Sequence, residues 1–163
     1  MPEITPLGWF HTVLGIIALV SGATALVKYR EIRLQDRSGQ IYLAATLITA
    51  GTALLIFQHG GFGPAHSLAV LTLLALATGA VASTTSLFGK LTRYVRALAF
   101  SATLLFHCIP AVTDASLRLP VGDPLATSLE DPIVRTSYLV LLIAFLIGIT
   151  VQLRWIHRQQ ANV

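Results

Sequence analysis

Apolar residues run along this chain in five long blocks, at residues 7–27, 40–57, 65–88, 94–112 and 134–156, separated by short polar or charged connections. A helix needs about 20 residues to cross the hydrocarbon core of a bilayer. The blocks are continuous, without the alternation of a membrane barrel strand. A helix also satisfies its own backbone hydrogen bonds in lipid. The pattern therefore predicts an all-α, polytopic membrane protein, a five-transmembrane-helix bundle forming one domain over residues 1–163.

Composition agrees. Hydrophobic residues make up 55% and charged residues 11% of the chain, with mean hydropathy +0.75, against about 25% charged in an ordinary soluble domain. The formal charge is +4, and its distribution speaks against nucleic acid as a partner. Lys28, Arg30, Arg33, Arg37, Lys90, Arg93, Arg96, Arg154 and Arg158 fall on one side of the predicted spans, with Arg118 and Arg135 opposite. The positive-inside bias then places the N-terminus outside and the C-terminus in the cytoplasm.

The first block is expected to be a permanent helix and not a secretory signal. Residues 1–8 carry Glu3 but no Lys or Arg, and the apolar run outlasts a signal core. Trp9 and Tyr138 fall near the predicted outer boundary, and Tyr29, Tyr42, Tyr94 and Trp155 near the inner one, as interfacial anchors would. An alternative for Trp9 is packing within the bundle.

His11, Gly15, Ala18 and Gly22 share one stripe of the first helix, and small residues crowd the second and third blocks. Such residues let helices approach closely in a membrane. Ordinary packing explains these runs more simply than a substrate pathway does.

The histidines ask for more. In the predicted topology His11, His59, His66 and His107 all lie toward the outer side, and His107 shares a polar stripe with Thr103 and Asp114. Pro110 frees the Phe106 carbonyl beside it and predicts a kink. Neutral imidazole ligates zinc, copper, nickel and haem iron, and helices of a bundle converge such ligands on one point. Two arrangements follow. His11 and His107 form an axial pair for haem b, or His11, His59, His66 and His107 surround a transition metal, with Asp114 as a ligand or as an acceptor orienting one. The plainer alternatives are a solvated His59, a His66 that caps or flanks a helix end, a His11 that snorkels to the interface, and a His107 satisfied by one interhelical hydrogen bond. His157 is flanked by arginines and receives no role.

Other chemistries have less foothold. No Asp or Glu lies within a predicted span, which disfavours a proton or cation pump. The single cysteine, Cys108, has no partner for an intramolecular disulfide. Phosphate-cradling loops and Gly-x-Ser-x-Gly are absent. No reaction is assigned. The outer connection 113–132 carries spaced apolar residues Leu117, Leu119, Val121, Leu125 and Leu129, which suggest a segment lying on the bundle or in the interface, as a lid over the histidines, a docking surface or a space-filling loop.

The stretch His11-Thr12-Val13-Leu14-Gly15, followed by a basic hinge ending Asp36-Arg37-Ser38-Gly39-Gln40-Ile41-Tyr42, resembles a group of uncharacterised bacterial multi-pass inner-membrane proteins. In that group the hinge often reads His-Arg-x-x-Gly; aligned on Gly39, this chain has Gln35 and Asp36 at those two positions. The resemblance covers about the first half of the chain and implies a bacterial inner membrane without an established activity.

Three functions remain open. The first is a cofactor-bearing membrane protein for electron transfer or metal handling. The second is an accessory or assembly subunit, docking membrane-protein partners or copies of itself in the lipid bilayer. The third is a channel or permease for a small neutral solute.

Overall fold

The structure, a computed structural model, describes residues 4–57 and 61–161. These fold into five α-helices and no strand: α1 (Pro6–Tyr29), α2 (Arg37–Ala53), α3 (Pro64–Thr84), α4 (Thr92–Arg118) and α5 (Pro132–Ala161). A single 3-10 turn, Gly89–Leu91, leads into α4. Four helices are long and apolar enough to cross a membrane: α1, α3, α4 taken with its preceding turn, and α5. The fifth, α2, has 17 residues. At the usual helical rise it reaches about 26 Å, slightly less than the ~30 Å hydrocarbon core.

Local chemistry sets the ends. The Thr5 side chain caps α1 by accepting from the Gly8 N–H at 3.1 Å, and Pro6 follows at the first helical position. α1 closes on Arg30 in the left-handed region (φ 60°), its N–H returning to the Leu26 carbonyl at 2.9 Å. α2 starts three residues earlier than its apolar block, directly after Asp36. That aspartate does not cap the helix, because Arg33 holds its carboxylate at 2.7 and 3.1 Å. α4 runs through Pro110 to Arg118, further than the apolar block ending at 112. The polar residues Thr113, Asp114 and Ser116 extend it because they lie on a continuing helix with local partners of their own. Thr113 bonds back to the Ile109 carbonyl (2.7 Å), and Asp114 pairs with Arg118 (2.6 Å).

α4 is the central element. It packs on α3, α5 and α1, while α2 fills the space between α1 and α3. The core combines Ala18 and Ala25 of α1, Ile32 of the hinge, Tyr42, Leu43 and Ala45 of α2, Leu76 of α3 and Phe100 of α4. Small residues make the close approaches. A Cβ on Gly79 would overlap the Phe100 ring, and one on Gly22 would lie 2.7 Å from the Tyr42 ring. Tyr42 is thus a core side chain and not an interfacial anchor, whereas Trp9 is exposed, facing outward from the bundle.

Residues 119–131 connect α4 to α5. Ala126 is the buried residue of this connection, and its N–H reaches the Ser116 carbonyl at 3.0 Å. Leu119, Val121, Leu125 and Leu129 face outward, so the segment is pinned by a small residue and not by the larger apolar ones.

Candidate functional site

On α2, Tyr42, Thr46, Thr49 and Thr52 recur at helical spacing and present one polar face. Three groups meet it. His11 Nδ1 of α1 lies 3.2 Å from Thr52 Oγ1, His107 Nε2 of α4 lies 3.1 Å from Thr46 Oγ1, and Thr103 Oγ1 of α4 lies 2.6 Å from the Tyr42 hydroxyl. The Tyr42 ring stands edge-on to the His107 ring, with centroids 6.3 Å apart. The topology thus brings the two predicted axial histidines onto one seam.

The single hydroxyl proton of Thr52 can go to the Ile48 carbonyl at 2.9 Å or the Thr49 carbonyl at 3.0 Å of its own helix, or to His11 Nδ1. When it goes to a carbonyl, Thr52 Oγ1 accepts from His11, which puts the imidazole proton on Nδ1 and leaves the Nε2 lone pair free. The Thr103 and Tyr42 hydroxyls both reach the Phe100 carbonyl, at 2.7 and 3.4 Å, so the short Tyr42–Thr103 bond runs in either direction. The His107–Thr46 pair runs in either direction. His107 is buried, and His11 is half-buried.

His66 behaves differently. It is buried at the start of α3, against the rings of Phe57 and Phe62 at centroid distances of 4.6 and 5.2 Å. Its Nδ1 accepts from the Gly63 N–H at 3.2 Å, capping the helix, so the proton sits on Nε2, which is buried without a partner. While that cap is kept, Nε2 offers no lone pair. Asp114 lies two turns beyond His107, and its carboxylate bonds Arg118 at 2.6 Å. His59 lies outside the described residues. Among those described, no group of three or more His, Cys, Asp or Glu side chains is gathered closely enough to hold a metal ion.

At the other end of the bundle the basic residues are more than topology signals. Glu31, 1% exposed, accepts from Arg93 at 3.0 and 2.5 Å and from Arg96 at 3.0 Å. Burial alone would push its carboxyl up, but the hydrogen bonds and charges of the two arginines outweigh burial and hold it below the usual value. Gln152 of α5 donates to the Arg30 carbonyl (2.7 Å) and accepts from Ser101 of α4 (2.8 Å). Arg30 and Arg93 both lie over the Trp155 ring. The signal for Glu31 was present as an acid embedded among Lys28, Arg30 and Arg33, with Arg93 and Arg96 one turn apart on another helix.

Comparison of the chain with protein-family models, with curated proteins and with solved structures found no match.

Proposed function

We propose that this chain is a five-span protein of a bacterial inner membrane, with its N-terminus outside, that carries haem b or a transition metal ion through His11 and His107 and serves electron transfer or metal handling. The observation behind this reading is that His11 Nδ1 meets Thr52 Oγ1 at 3.2 Å on the same seam as His107; with the proton on Nδ1, Nε2 is the nitrogen that ligates. A ligating histidine usually donates its other ring N–H to an acceptor that sets tautomer and ring orientation. Thr52 is placed to be that acceptor for His11. The protonated Nε2 of His66 favours the two-imidazole set over one built on all the outer histidines. When bound between two imidazoles, haem supplies one-electron chemistry at a potential tuned by its surroundings.

The orientation rests on the arginine-rich end, where α1, α4 and α5 meet around Glu31 and Gln152. By the positive-inside bias that end faces the cytoplasm and the histidine seam faces outward.

Oxidised and dithionite-reduced absorption spectra of detergent-purified protein, with elemental analysis of the same sample, test the proposal. The expected result is a Soret band with sharp reduced bands, or near-stoichiometric zinc, copper or nickel, lost in His11→Ala. Colourless, metal-free protein from a gentle, chelator-free preparation overturns it.

A second reading, an accessory subunit, draws on α5. This helix packs chiefly on α4 and turns Leu139, Val140, Leu142, Ile143, Leu146 and Ile147 outward. Co-purification of a stoichiometric membrane partner, without which the chain is degraded, would favour it.

A further inference from the structure

α1 and α5 both pack on α4 but hardly on one another, and the gap between them is a cleft of about 580 Å³. That lies within the ~300–1,000 Å³ typical of ligand clefts. Its walls are apolar, with Leu104 and Leu105 of α4 facing Leu141, Phe145 and Gly148 of α5. Polar groups gather at one end only, where Arg30, Ser101, Gln152 and Trp155 line it.

The chemistry of that end narrows the occupant. Ser101 donates to Gln152, and Gln152 donates to the Arg30 carbonyl, so these groups are already engaged. The Arg30 side chain is exposed, stacks on Trp155 and has no acidic partner among the described residues. Its backbone is held in the left-handed region, where an L-residue is strained and glycine is the usual choice. Arg30 therefore places an uncompensated cation and an aromatic face at the interfacial end of an apolar cleft opening toward lipid. Glu31, the acid next to Arg30 in the chain, is taken up by Arg93 and Arg96.

We propose that this cleft binds one anionic phospholipid, its acyl chain lying against α4 between α1 and α5 and its headgroup on Arg30. A neutral amphiphile would leave the cation unmatched, and a partner's apolar helix would bury it. The site is separate from the histidine seam and does not depend on the cofactor reading.

Native mass spectrometry of delipidated protein, offered phosphatidylglycerol or phosphatidylcholine of equal chain length, tests this. The expected result is a monomer retaining one phosphatidylglycerol, preferred about fivefold, the factor that one basic residue near an anionic surface supplies. Arg30→Gln should remove the preference and Arg30→Lys should keep it. Gly148 faces open space, where an added Cβ would meet no atom within 4 Å, so Gly148→Phe should fill the cleft and lower retention of both lipids while circular dichroism stays unchanged. Equal retention of the two lipids by the unaltered chain, an undiminished preference in Arg30→Gln, or full binding in Gly148→Phe overturns the proposal. So does a lipid-free dimer, which would mean that a second copy fills the cleft.

Discussion

Glu31 and Arg93 are 62 residues apart in sequence, yet Arg93 Nη2 lies 2.5 Å and Nε 3.0 Å from Glu31 Oε1. Arg96 takes the other carboxylate oxygen at 3.0 Å. The pair fastens the hinge between α1 and α2 to the start of α4, so three helix ends share one counter-charge.

Glu31→Gln should destabilise the fold by about 3 kcal/mol, because it leaves two partly buried arginines without their anion. Reversible unfolding in mixed micelles measures it. The carboxyl is held below its ordinary value of 4.5, so its contribution is fully present above about pH 4.5 and is lost as pH falls through the lower folded-state value. Stability of the unaltered chain should drop over that acidic range. The corresponding decline in Glu31→Gln should be shallower; equal slopes would assign the acid sensitivity to other carboxylates.

Gly39 and Gly51 should respond to alanine with opposite signs. A Cβ on Gly39 would overlap the Arg33 carbonyl oxygen, a backbone atom held by the hinge, whereas one on Gly51 meets nothing within 4 Å. We expect Gly39→Ala to cost about 2 kcal/mol through overpacking and Gly51→Ala to gain roughly 0.5–1 kcal/mol as a helix-interior replacement. Thermal midpoints of the two variants, measured side by side, check the sign.

Gln152→Leu should cost about 2 kcal/mol, since the Arg30 carbonyl and Ser101 both lose their partner at a buried position. Gln152→Leu combined with Ser101→Ala should cost less than the sum of the two, because the second change removes one of the stranded groups. Additive values would show that the two side chains act independently.

Thr52→Val and His66→Asn should separate ligand support from helix capping. Loss of the Thr52 hydroxyl beside His11 Nδ1 should weaken cofactor affinity by about 10–100-fold, read by titration of the cofactor into apoprotein. Replacing His66 should cost about 1 kcal/mol of stability as the cap changes, with cofactor content unaltered.

How far each feature could be read from the chain depended on its range. The apolar blocks marked all five helices to within a few residues at most ends, because hydropathy and helical length act locally. At two of the ends where they erred, a charged side chain with a specific partner lies at the boundary. Asp36, held by Arg33, precedes an early start of α2, and Asp114, paired with Arg118, lies in an extension of α4 past Pro110. Tyr42 read as an anchor because it lies near a predicted boundary; Thr103, 61 residues away, makes it a core residue.

By itself the sequence determined the helical class, the apolar segments and the segregation of basic charge toward one set of connections, since these follow from composition and the 3.6-residue period. The tertiary structure alone decided which nitrogen of His66 carries the proton, that His11 and His107 meet one polar face of α2, that Glu31 is the counter-ion of Arg93 and Arg96, and that α1 and α5 stand apart over α4. The physical reason is that hydrogen-bond direction, charge pairing and clefts are properties of groups brought together across helices, and no local pattern specifies which groups will meet.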